Sequence, residues 1–338
     1  MPFFFRSAAA TAVALHVVAA AAAPQVVSTI ALPDPVRWDY VTVDAATGRL
    51  YVAHRERVDV IDTHDDKPVL QLAPTPGVHG AAPAPGLGRI FTSNGADDTV
   101  GVFDAAGKLV QTIPVGKDPD AIVYEPRTRR VFAFNGKSAD VTAIDARSLK
   151  VLAASIPAPG TPEFAVADGQ GKVFFNVEDK SEVAVLDAAT LKIERHYPIA
   201  PCEEPSGLAI DLKGRLYSVC RNGWMVVSDP REGRVLGQAP IGRGPDGVAW
   251  MDGHAFSANG RDGTVSVVAE TSPGHFETVA IVATAPGART IAADPAQHAL
   301  FMPTADFKPA PASSSKPARP EALPGTFRVL VLKDAAAH

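Results

Sequence analysis

Several common signatures of catalysis and binding are missing from this sequence. Cysteine occurs twice in 338 residues, at Cys202 and Cys220, and neither lies in a C-x-x-C-H haem motif. G-x-S-x-G, H-E-x-x-H and a phosphate-binding loop are absent too, which removes the usual serine-hydrolase, zincin and nucleotide-binding readings. There is no basic excess: 32 Lys and Arg face 37 Asp and Glu, a net charge of −5. Setting aside residues 1–23, which hold Arg6 and no acid, leaves −6. That balance opposes tight binding to phosphate backbones, where Lys and Arg supply most of the affinity. Beyond residue 23 no stretch approaches the roughly 18 apolar residues of a spanning helix.

The first 23 residues, MPFFFRSAAATAVALHVVAAAAA, join one cation to a short alanine-rich apolar run that ends in small residues. They read as a cleaved secretory signal, with a retained membrane anchor as the alternative. After cleavage the chain is expected to be periplasmic or secreted, without stable membrane insertion, and monomeric.

What the sequence has in quantity is repetition. DYVTVDAATGRLYVAH (39–54) returns as HGAAPAPGLGRIFTSN (79–94), PDAIVYEPRTRRVFAFN (119–135) and PEFAVADGQGKVFFN (162–176). PSGLAIDLKGRLYSVC (205–220), PDGVAWMDGHAFSAN (245–259) and ARTIAADPAQHALFMPT (288–304) complete the series. Seven copies spaced by 40 to 43 residues, built from short strands and turns, predict an all-β, seven-bladed propeller of four-stranded antiparallel blades. A single domain over 24–334 and a tail at 335–338 follow. Blade 3 reads as an inner strand at 120–125, then Val131–Asn135, Val141–Asp145 and an outer strand Val151–Ile156.

Asp62, Asp104, Asp145, Asp187 and Asp229 close third strands, where a carboxylate can accept amide hydrogen bonds two residues on. Asn94, Asn135, Asn176 and Asn259 close second strands and are expected to take the left-handed conformation of a tight hairpin. Residues 25–32 match an outer strand yet precede blade 1, and 326–332 match a third strand with nothing after it. The N-terminal segment should therefore complete the last blade and close the ring.

P-x-G-[VL]-A followed by G-[RK]-x-[YF]-[VS] and Asn resembles the bacterial YVTN repeat. Pro205–Ala209 and Pro245–Ala249 match its first part best, and the rest survives as FTSN (91–94), FAFN (132–135) and FSAN (256–259). The chain thus resembles YncE-like seven-bladed propellers. That resemblance implies export and an unassigned ligand; the single-stranded DNA role attached to some members does not suit a −6 chain.

In a propeller the inner strands start beside the central channel. Asp39, His79, Asp120, Glu163, Ser206, Asp246 and Arg289 should therefore ring one channel mouth. Four carboxylates there would focus negative potential and favour a cation, while Arg289 could clamp a ligand carboxylate. Asp39, His54, His79 and Asp120 are the candidate ligands for a divalent metal ion, the one cofactor the pattern suggests. The arrangement is similar to gluconolactonase-like propellers, whose central metal polarises a lactone, although those have six blades. Trp38 and Trp224 should face the same mouth and could stack on a flat ligand, whereas Trp250 reads as core. His196, His254, His275 and His298 read as ordinary surface or packing residues.

Cys202 just precedes blade 5's inner strand and Cys220 ends its second strand. Antiparallel neighbours bring those points to one face, so a disulfide is expected; Glu203 and Glu204 oppose a reactive thiol pair. Residues 305–324, with five prolines, read as an extended insertion in blade 7. The leading functional reading is a non-catalytic exported scaffold that binds a small ligand, a metal or a protein partner at the mouth. The alternative is a metal-dependent lactonase-type hydrolase or lyase using Asp39, His79, Asp120 and Glu163. A third is single-stranded nucleic-acid binding through Trp38, Tyr40 and Trp224.

Overall fold

Short β-branched and aromatic runs, cut by turns every few residues, pair with their chain neighbours into seven four-stranded antiparallel sheets. The computed structural model describes residues 23–33, 37–308 and 321–334. Blade 3 shows the pattern: Pro119–Glu125, Arg130–Asn135, Asp140–Asp145 and Val151–Pro157, each within about a residue of its expected bounds. Residues 1–22 of the expected signal 1–23 and the tail 335–338 lie outside the described residues. No described helix is long and apolar enough to cross a membrane.

The core lies between blades. Phe132, Phe134 and Val141 of blade 3 meet Val173, Phe175 and Leu186 of blade 4, with the Phe134 and Phe175 rings 5.1 Å apart. Val131, Ala133 and Ile144, on the other face of blade 3, pack against Phe91, Val100 and Val102 of blade 2. The middle strands are buried on both faces, so they read as continuous apolar runs such as Val131–Phe134 rather than as alternation.

Pro24–Ala31 pairs antiparallel with Arg328–Asp334, giving blade 7 one strand from the N-terminus and three from the C-terminus. The expected closure of the ring is therefore observed. The base of the blade 7 insertion is ordered by a bridge between Phe307 and Ala322, with Lys308 N–H donating to Glu321 O at 2.9 Å. Residues 309–320, the middle of the expected insertion, lie outside the described residues.

The third-strand aspartates act as expected. Asp62, Asp104, Asp145, Asp187 and Asp229 each accept a hydrogen bond from the amide two residues on, at 2.9 to 3.1 Å. A second set does the same where inner strands end: Asp44, Glu125, Asp168, Asp211 and Asp294. The asparagines correct the expectation. None has positive φ; that conformation falls on Asp98, Ala139, Ser181 and Gly263, later in the same turns. Each Asn side chain is instead buried and hydrogen-bonded: Asn135 Nδ2 donates to Asp140 Oδ1 at 2.8 Å, and Asn176 Nδ2 to Ser206 O at 2.8 Å. They pin the turns and the neighbouring blade through side-chain chemistry, not backbone tolerance.

Cys202 and Cys220 form a disulfide across 18 residues. Such bonds persist in oxidising compartments, which points to an extracytoplasmic location. Deleting residues 24–31 should leave blade 7 without its outer strand and lower the melting temperature by more than roughly 10 °C. Unchanged melting of the truncated chain would refute closure as a stabilising element.

Candidate ligand site at the channel mouth

In blades 2 to 6 the inner strand begins opposite the end of the second strand: Val78 pairs with Asn94, Pro119 with Asn135, Pro162 with Val177, Pro205 with Cys220 and Pro245 with Asn259. Inner-strand starts and second-to-third turns therefore share one face, and the residues following those starts converge on the channel.

Five of the seven expected ring residues form a continuous chain of alternating charge across five blades. Arg289 pairs with Asp246 on one side and reaches Asp39 Oδ1 at 3.5 Å on the other. Asp39 Oδ2 lies 2.8 Å from His79 Nδ1, and that nitrogen is 3.3 Å from Asp120 Oδ1. Arg289 also donates to Trp38 O at 2.8 Å, fixing the guanidinium against blade 1. Ser206 Oγ is spent on Pro245 O at 3.4 Å and so ties blade 5 to blade 6.

Glu163, the remaining acid, meets an unexpected partner. Tyr40 reaches from blade 1 to blade 4, donating its hydroxyl to Glu163 Oε1 at 3.3 Å. Its ring stands edge-on to Phe164 at 4.8 Å and is buried. The two aromatics thus join blade 1 to blade 4. Asp118, which precedes the inner strand of blade 3, adds a carboxylate 4.0 Å from His79 Nε2 and pairs with Lys137 at 3.1 Å. The doublet of acids around Pro119 was the sequence signal for it. Gly95 packs against the same imidazole: a Cβ there would lie 2.7 Å from His79 Nε2.

Crowding like charges in a half-buried well shifts their protonation. Burial and the Asp39 charge push Asp120 up to about 7 against the pull of His79. Burial, with Asp120 and Asp246 adding to it, pushes Glu163 up to about 9. Asp246 rises mainly by burial, partly offset by Arg289. Burial pulls the His79 imidazole down, but the Asp39 hydrogen bond and the charges of Asp120 and Asp39 outweigh it and lift it to about 9. Below that pH the imidazolium neutralises part of the well.

Asp39, His79 and Asp120 each offer one ligand atom, and these atoms lie within 4.8 Å of one another. Asp120 Oδ1 is a buried oxygen that accepts no hydrogen bond. His54 does not join them. Its ring is buried, stacked on Phe327 at 4.5 Å, with Nδ1 3.3 Å from the buried Asp59 carboxylate. The residue closing a strand here turns its side chain between blades and away from the channel.

Trp38 departs from expectation for a similar reason. Only 8% exposed, it packs on Phe307 and Phe327 in the core between blades 7 and 1, so it offers no stacking surface. With Tyr40 also buried, two of the three aromatics considered for nucleic-acid stacking are internal. Trp224 is half-buried against the core around the disulfide, and Trp250 against that of blades 5 and 6. His196, His275 and His298 are surface residues paired with Glu182, Glu277 and Asp252. His254 Nδ1 contacts Asp252 O.

No family model matches the chain, and no curated protein matches it. Solved structures do. Hydrazine synthase of Kuenenia stuttgartiensis is 16% identical over 80% of this chain and 92% of that one, with a TM-score of 0.67. A streptogramin B lyase is 13% identical over 90% and 97%, at 0.70. The WD40 repeats of RRP9 are 8% identical over 93% and 100%, at 0.77. At these identities the likeness is one of fold: a seven-bladed β-propeller, shared by proteins of unrelated activity.

Proposed function

We propose that this protein is an exported, periplasmic propeller, a divergent relative of the YVTN-repeat proteins, that binds a divalent cation at Asp39, His79 and Asp120. The cation, or a ligand held through it, would occupy the channel mouth. One observation carries the reading: three hard nitrogen and oxygen ligands from consecutive blades stand within 4.8 Å of one another. Imidazole plus carboxylate suits zinc or manganese. A cation would also relieve the repulsion that raises Asp120 and Glu163. The disulfide and residues 1–23 support export.

A second reading keeps the same metal and adds catalysis. Glu163 is held protonated beside the same carboxylates, where it could donate a proton as a general acid, and a lyase shares the fold. A hydrolase or lyase acting on lactones or esters would show turnover abolished by chelator and by Glu163→Gln. Turnover indifferent to both would remove this reading.

Because metal must displace the proton on His79 and find Asp120 ionised, affinity should climb with pH between about 6 and 9. Calorimetry with zinc and manganese should show one site, lost in Asp120→Asn. A wild-type protein that binds no divalent cation at pH 8 would overturn the proposal.

Metal-free stability should run the other way. The unfolded chain releases the Asp120 and Glu163 protons near 3.8 and 4.5, while the folded state keeps them to about 7 and 9. The folded state thus binds more protons across that window, and stability falls as pH rises. His79, whose proton is held from 6.5 to about 9, adds the same sign above neutrality. Melting in chelator should drop by roughly 5 °C from pH 5.5 to 8.5, and Glu163→Gln should flatten the slope. A slope unchanged in that variant would place the dependence elsewhere.

A further inference from the structure

On the face opposite the mouth, a cleft of about 500 Å³ opens between blades 2 and 3. Pro85, Leu87, Tyr124 and Pro126 give it apolar walls, and Arg129 and Arg147 complete it. Among the described residues neither guanidinium has a hydrogen bond or ion pair.

The nearby acids are already engaged. Glu125 accepts from the amides of Arg127 and Thr128 and from the Thr128 hydroxyl. Asp145 accepts from the amides of Arg147 and Ser148 and from the Ser148 hydroxyl. The same bonds hold both arginine-bearing turns still, and Ala146 N–H donates to Arg129 O at 2.9 Å, joining one turn to the other. Two fixed backbones thus carry two unengaged cations at one cleft. Both charges reach the Tyr124 phenol, which burial and the Glu125 charge push up and Arg129 and Arg147 pull back down.

Arg129 also departs from the repeat, as His298 of blade 7 does with the same left-handed backbone. At the aligned position five blades carry glycine (Gly48, Gly88, Gly171, Gly214 and Gly253), all with positive φ. Arg129 takes the same left-handed backbone, at φ 56°, which a side chain disfavours and glycine does not. Fold alone would favour glycine there.

We propose that the cleft binds a small aromatic carboxylate, its carboxylate held by Arg129 and Arg147 and its ring against Tyr124, Pro126 and Leu87. The planar guanidinium fork matches a carboxylate, and the open cleft sets both exposed arginines beside the apolar walls.

Calorimetry on the purified full chain with 2-naphthoate, its neutral analogue 2-naphthylmethanol and inorganic phosphate tests this. Naphthoate should bind saturably, at least ten-fold tighter than either control. Arg129→Gly and Arg147→Gln should each weaken it ten-fold or more, while Asp120→Asn at the distant mouth leaves it unchanged. Arg129→Gly should melt no lower than wild type, which separates lost binding from lost folding. Equal binding of the alcohol or of phosphate, undiminished affinity in Arg129→Gly, or no saturable binding would overturn the proposal. Capture of an acidic peptide without naphthoate binding would overturn it in favour of a protein interface.

Discussion

The pairing of Pro24–Ala31 with Arg328–Asp334 is the interaction on which the rest depends. Each blade buries its two faces only against its neighbours, so an open array would leave two large apolar faces in water. Closing the ring removes both at once and joins the chain ends through backbone hydrogen bonds. It also fixes the channel diameter, and with it the distances among residues from blades far apart in sequence. Arg289 reaches Asp39 across 250 residues because blade 7 is locked beside blade 1.

That rigidity lets the mouth hold four carboxylates in a half-buried ring. In a flexible loop such charges would separate and hydrate. Here each sits near the start of a strand whose far side is core, so it must find compensation in place. Arg289 and His79 supply it by alternating with Asp246, Asp39 and Asp120, while Glu163 keeps its proton beside the Tyr40 hydroxyl. The alternation links blades 6, 7, 1, 2 and 3 and leaves Asp120 with an oxygen that accepts no hydrogen bond. The same chain of charges is thus both an interblade tie and the chemistry offered to a ligand.

Fold-level features were legible because the repeat states them seven times. Strand order, the turn aspartates, the disulfide and the outer strand supplied by residues 24–31 follow from alternating patterning, turn chemistry and the antiparallel adjacency of successive strands. Errors arose where one residue type can act through either its backbone or its side chain. The asparagines pin turns with buried amides instead of adopting positive φ. His54 and Trp38 lie next to the site in sequence, but their side chains point between blades and into the core.

By itself the sequence determined the seven-bladed ring, the face on which polar residues gather, and the identities of Asp39, His79, Asp120, Glu163, Ser206, Asp246 and Arg289 around it. It could do so because period and strand alternation are local and every blade repeats them. Only the tertiary structure decided which of these touch. That Tyr40 crosses to Glu163, that His79 lies between two carboxylates, and that Arg129 and Arg147 share a cleft depend on distances set when the ring closes. No local pattern encodes those distances, because each joins blades or turns that periodicity alone treats as equivalent.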